Sequence, residues 1–118
     1  MSYDLFLYSA EVLRVIDGDT VDVMIDLGFG SYRKMRLRLY GIDAPERRGE
    51  TREAGNAATD YLRGILSVGA TIVVKTFKDK QGKYGRYLAL IYTMHDDTLS
   101  ESINDRLVAD GHAVKYGA

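Results

Sequence analysis

Nine consecutive residues, Arg38-Leu39-Tyr40-Gly41-Ile42-Asp43-Ala44-Pro45-Glu46, set a guanidinium, two carboxylates and the chain's only proline side by side. An arginine can hold a phosphate, one acid can hold a metal ion, and another can handle a proton. Phosphodiester cleavage needs those three parts close together. The acid-bearing segment Asp17-Gly18-Asp19-Thr20 precedes this run, and the basic segment Lys83-Tyr84-Gly85-Arg86 follows it.

Each segment also has a plain structural reading. Asp17-Gly18-Asp19 makes a hairpin turn without any metal. The spacing of Asp17, Asp19 and Asp22 lacks the central glycine and terminal glutamate of an EF-hand loop. Asp43 with Pro45 builds a turn, because residues before proline avoid the helical region. If sheet pairing brings Asp19 near Asp43, however, the two carboxylates repel unless a cation lies between them. A shared metal site is then expected. Arg38 and Arg86 are candidate phosphate clamps, since a planar guanidinium matches phosphate oxygens with paired hydrogen bonds. Tyr84 can stack a base or bond a phosphate. His95 and His112 have no partner suggested by spacing and read as loop residues.

The elements that must position these groups show as periodicities. Residues 12–16 read as one strand. Val21, Val23, Ile25 and Leu27 alternate with Asp22, Met24 and Asp26 in a second, and Asp17-Gly18 turns between them. Gly28-Phe29-Gly30-Ser31 is the next turn. Met35, Leu37 and Leu39 then alternate with Lys34, Arg36 and Arg38, a third strand with a basic outer face. Residues 51–66 switch to helical spacing, with Ala54, Ala57, Ala58, Tyr61, Leu62, Ile65 and Leu66 apolar and Thr51 as N-cap. Residues 71–78 are β-branched and read as a fourth strand; residues 86–93 form a fifth after a turn at 81–85. Thr98-Leu99-Ser100-Glu101 fits a capping box for a second helix, with Leu99, Ile103 and Leu107 as its stripe and Gly111 as its C-terminal cap.

That order predicts a mainly β fold with α, of OB type. It is a five-stranded antiparallel Greek-key barrel with a helix between strands 3 and 4 and a C-terminal helix. The 118 residues point to one domain spanning 1–118. No cysteine is present, which excludes disulfides and thiolate metal sites. No apolar run is long enough for a membrane helix. The first ten residues carry Asp4 and do not read as a signal peptide, which favours an intracellular or mobile-element protein.

A net charge of −1 hides a segregation. Residues 31–52 and 75–86 together hold 12 of the 16 basic residues and 4 of the 17 acids, a local balance of +8 against −9 elsewhere. If the two stretches meet, they make a basic face suited to a phosphate ligand.

With these segments in hand, the chain resembles the staphylococcal nuclease (thermonuclease) family. The matching stretches are residues 15–21, 38–46, 83–89 and 104–113, in the family's order and over nearly the whole chain. The resemblance implies an OB-fold barrel and Ca²⁺-dependent hydrolysis of DNA and RNA to 3′-phosphate products. It implies carboxylate calcium ligands at Asp19 and Asp43, with the Ala44 carbonyl as a third. It implies Glu46 beside the attacking water, Arg38 and Arg86 on the phosphate, and Lys83 and Tyr84 at the nucleotide. Position 44 is Ala where the best-known member has Thr, a change that a backbone ligand tolerates. The sequence also ends before the family's further C-terminal helix, which bears on stability and outer nucleotide contacts. The short basic loop of Arg47, Arg48 and Arg52 is expected to be mobile and to touch the substrate backbone. A monomer acting on nucleic acid, with no membrane partner, is expected. The alternative is a binding module on the same fold that does not cleave; it has no need for Asp19, Arg38, Asp43, Glu46 and Arg86 together.

Overall fold

The computed structural model describes residues 5–78, 87–94 and 99–116. Strands β1 (Leu7–Asp17), β2 (Thr20–Gly28) and β3 (Ser31–Leu39) come first, followed by the two-residue β4 (Ile42–Asp43). A 3-10 turn at Gly49–Thr51 leads into helix α1 (Arg52–Ile65). Strands β5 (Thr71–Lys78) and β6 (Tyr87–Thr93), helix α2 (Ile103–Ala109) and the short β7 (Val114–Lys115) complete the order.

The five long strands close into a barrel in the order β1-β2-β3-β6-β5, with β5 returning to β1. Four of its pairings are antiparallel, and β3 with β6 is parallel. This corrects the expectation of an all-antiparallel barrel. A closed ring with an odd number of strands cannot alternate direction all the way round, so one seam must run parallel. The seam joins β3 to β6, which the chain reaches only after passing through β4, α1 and β5. Inside, Val12, Val21, Val23, Leu37, Leu39, Val74, Ala89 and Ile91 are almost wholly excluded from solvent. They come from alternate positions, as period-two burial requires.

Four sequence expectations shift. Leu27, expected inside, is 44% exposed, because β1 pairs with β2 only as far as Ala10 opposite Ile25 and leaves the β2–β3 tip uncovered. The buried face of α1 is Gly55, Ala58, Thr59 and Leu62, with Ala54 and Ala57 turned outward. Thr51 takes the N-cap position without a capping bond, its hydroxyl instead facing the carbonyls of Glu46 at 2.8 Å and Arg48 at 3.2 Å. Helix α2 starts later than the Thr98 box implied. Ser102 is its N-cap and accepts the Asp105 N–H at 3.0 Å, while Leu99, at φ 51°, lies outside it. Thr98 is outside the described residues. Gly111, at φ 79°, ends the helix as expected.

Asn104 fastens α2 to the barrel. It is buried, donates from Nδ2 to the carbonyls of Tyr40 and Ala89 at 2.9 Å each, and accepts the Ile91 N–H at 3.1 Å. One side chain thereby fixes β6 and the Tyr40–Gly41 turn that feeds β4.

Candidate active site

The β1–β2 turn supplies the first acid. Asp17 pairs with Thr20, leaving Gly18 and Asp19 as the loop. Gly18 is required by space: a Cβ there would lie 2.8 Å from the Cβ atoms of both Ala44 and Ala58. Its absence lets the turn rest on the loop after β4 and on α1. Asp19 is then held from several sides. Its Oδ2 accepts the Ala44 N–H at 3.0 Å, its Oδ1 accepts the Thr20 hydroxyl at 3.2 Å, and its carbonyl accepts the Leu39 N–H at 2.8 Å. Its own N–H donates to Asp17 Oδ1 at 3.1 Å.

The Asp19 side chain is only 15% exposed. That burial pushes its pKa up to about 6, with the neighbouring Asp17 carboxyl adding to the rise and the Ala44 N–H and Arg38 opposing it.

The outer face of β3 brings the cation. Arg38 Nη2 lies 3.2 Å from Asp43 Oδ1, 4.0 Å from Asp19 Oδ2 and 3.4 Å from the Ile42 carbonyl. One guanidinium thus stands between the two carboxylates that sequence reasoning sought to bring together. Asp43 is placed by β4, which pairs with β7 so that Asp43 faces Val114. The same edge brings Tyr116, whose ring centroid is 5.2 Å from the Arg38 guanidinium carbon and whose N–H donates to the Gly41 carbonyl at 2.9 Å. Sequence reasoning missed Tyr116. A two-residue strand of exposed residues carries no periodicity, so nothing in the sequence pattern placed it at Arg38.

Glu46 follows on the loop to α1. Its carboxylate is 73% exposed and pairs with Arg48 Nε at 3.4 Å rather than with the Asp19, Asp43 and Arg38 group. Its backbone is tightly held. A Cβ at Gly55 would lie 2.4 Å from the Glu46 carbonyl oxygen, so α1 packs directly on this loop. Arg47 fixes it further, donating to Asn56 Oδ1 at 2.9 Å and to the Ile16 carbonyl at 3.0 Å. Arg47, expected as a mobile substrate contact, is therefore a tie between the loop, β1 and α1. Gly55 was missed as well: a glycine within a helix reads as a propensity fault until its neighbour is seen.

Lys83, Tyr84, Arg86 and His95 lie outside the described residues. His112 has a partner after all, its ring 4.4 Å from that of Tyr61.

Asp19 and Asp43, whose carboxylates both lie within 4.0 Å of Arg38 Nη2, offer oxygen donors of the kind that suit a hard divalent cation. Among the described residues no three His, Cys, Asp or Glu side chains gather to hold a metal by themselves. The two carboxylates fit a site that relies on water and substrate oxygens for the rest of its shell, as hard cations at phosphate-processing sites do.

A closed five-stranded barrel with an acid–arginine cluster at the end of β3 defines an OB-type domain. Residues 36–118 match the family described as staphylococcal nuclease homologue, and the chain belongs to that family. It is 37% identical over 105 residues to an uncharacterized endonuclease of Escherichia coli O157:H7, covering 89% of this chain and 59% of that protein. It is 30% identical over 113 residues to a micrococcal nuclease of Shigella flexneri, covering 92% of this chain and 59% of the relative. A thermonuclease of Staphylococcus hyicus is 29% identical over 106 residues, with 87% and 56% covered. The chain thus spans under two thirds of the length of these relatives.

Proposed function

We propose that this domain is a calcium-dependent nuclease that hydrolyses phosphodiester bonds in DNA and RNA, of the thermonuclease type. The observation that carries the reading is the convergence of Asp19 and Asp43 on Arg38 at the end of β3. Membership of a family whose relatives bear nuclease names supports it.

In this reading Asp19, Asp43 and the Ala44 carbonyl hold Ca²⁺, which when bound supplies Lewis-acid polarisation of the phosphoryl group. Arg38 leaves Asp43 for the phosphate and stabilises the charge that grows on its oxygens, with Arg86 as the second clamp. Glu46 swings from Arg48 to orient the attacking water or take its proton, which requires an ionised carboxylate. Its 73% exposure and an exposed ion pair with Arg48 leave that movement inexpensive. Lys83 and Tyr84 contact the nucleotide. The substrate is the partner; no helix among the described residues is long and apolar enough to cross a membrane.

The test is cleavage of single-stranded DNA with and without Ca²⁺ by the wild type, Glu46→Gln and Arg86→Ala. Calcium-dependent cleavage that drops a hundredfold or more, by about 3 kcal/mol of barrier, in each variant is expected. A folded wild type with no calcium-dependent cleavage sinks the reading, and equal cleavage by all three exposes a contaminating nuclease.

A further inference from the structure

The β2–β3 hairpin extends past the last β1 pairing as a two-stranded arm. Its tip is Phe29-Gly30, both at positive φ, between the paired Gly28 and Ser31. Such a tight turn favours Asn or Gly at both central positions, and an aromatic residue at φ 57° is disfavoured. Phe29 is also fully exposed, at 107%, and Tyr32 is 64% exposed beside it. Phe29 therefore costs the fold twice, in backbone strain and in bare apolar surface, and returns no packing. Strain kept at a solvent-exposed aromatic points to a binding role.

The strand behind the tip supplies the matching charge. β3 carries Arg33, Lys34, Arg36 and Arg38 and no acid. Lys34, Arg36 and Arg38 share the outer face with Tyr32, at alternate positions. Arg36 is fixed on that face by two bonds to Asp22, at 2.8 and 3.1 Å. From Arg38 to Tyr32 the strand rises about 20 Å, the length of roughly six stacked nucleotides. From Leu37 toward the tip, β3 has no second partner strand among the described residues, and basic residues on such an edge also prevent edge-to-edge pairing. That explains Arg33 and Lys34 but not an exposed Phe29.

We propose that the arm is a second contact for single-stranded nucleic acid whose reacting phosphate sits at Arg38. The strand runs along the outer face of β3 with phosphates toward Arg36 and Lys34, and bases stack on Tyr32 and Phe29. The inference rests on the nuclease reading of the Arg38 site.

The experiment compares wild type with Phe29→Gly and with the Phe29→Gly/Tyr32→Ser pair. Substrates are a dinucleotide and a single strand of about twelve nucleotides, twice the reach of the arm. Both KM for cleavage and affinity by fluorescence anisotropy are measured. Loss of stacking should weaken the longer strand at least about fivefold, with kcat and the dinucleotide unchanged. Phe29→Gly should melt no lower than wild type, because it relieves strain, so loss of fold cannot mimic the effect. Equal KM and affinity across the variants, with cleavage intact, overturn the arm alone. No cleavage by wild type, with an affinity that still depends on Phe29, removes the nuclease reading and keeps the arm. Phe29-dependent binding to anionic vesicles with unchanged oligonucleotide affinity overturns the proposal in favour of a membrane contact.

Discussion

The Ala44 N–H donates to Asp19 Oδ2 at 3.0 Å, joining the β1–β2 turn to the loop that follows β4. Residues 25 positions apart are thereby fixed at one point, and a largely buried carboxylate is built into the joint. Burial without a full counter-charge raises its pKa to about 6. A folded pKa above the unfolded 3.8 means that the folded state binds the proton more tightly.

Stability from Asp19 is therefore fully present below about pH 4 and lost as pH rises through about 6. Without divalent cations, ionising Asp19 should cost on the order of 2 kcal/mol. Asp19→Asn, which keeps an acceptor for Ala44, should melt higher than wild type at pH 7 and equally at pH 4. Calcium should raise the wild-type melting temperature at pH 7 and leave the variant unmoved. Thermal melts at both pH values, with calcium and with chelator, read all of this. A variant no more stable than wild type at pH 7 counts against the buried-charge account.

Gly55→Ala sets two magnitudes against each other. In an open helix the change should stabilise by about 1 kcal/mol. Here the new Cβ meets the Glu46 carbonyl oxygen at 2.4 Å and the Arg47 nitrogen at 2.8 Å, both backbone atoms that cannot rotate away. Overpacking of this kind costs about 1–3 kcal/mol. We expect net destabilisation in urea melts. Cleavage should fall further than the small unfolded fraction explains, because the displaced loop carries Glu46. A stabilised variant would show that the loop yields freely.

Much of the barrel was legible because burial writes its period into sequence. Val21 and Val23 face Leu37 and Met35 across β2 and β3 as the alternation required. The Gly18-Asp19 turn and the Gly111 cap were equally plain, each being a local backbone demand. What stayed hidden depends on contacts between distant segments. The Tyr116 ring reaches Arg38 through a two-residue strand. Gly55 is explained only by the loop packed on it. Leu27 obeys the alternation perfectly and is exposed only because β1 ends sooner. The convergence of Asp19 and Asp43 was conditional on the fold. The Glu46 side chain shows the reverse, a residue picked out by sequence whose position here serves an ion pair with Arg48.

Asn104 should behave as a keystone rather than a surface polar residue. Its amide serves the Ile91 N–H and the Tyr40 and Ala89 carbonyls in a buried setting. Asn104→Leu keeps the volume but strands those groups, at about 1–3 kcal/mol for each left without a partner. We expect a loss of about 2–4 kcal/mol by denaturant unfolding with an unchanged slope. A loss under about 1 kcal/mol would mean that water or a shifted α2 replaces the bonds.

Arg38 separates geometry from charge. Its guanidinium stands between Asp19 and Asp43, so any cation there relieves their repulsion. Lysine supplies that charge as a point and lacks the planar fork that matches phosphate. Arg38→Lys should therefore keep the melting temperature near wild type while kcat/KM falls about a hundredfold or more. Arg38→Gln should lose both. With the counter-charge gone, the two acids destabilise the metal-free protein, and calcium should restore more melting temperature to this variant than to wild type. Paired melts and single-strand cleavage of the two variants decide it. If Arg38→Lys cleaves at the wild-type rate, Arg38 serves only to neutralise the acids, and its assignment to the phosphate fails.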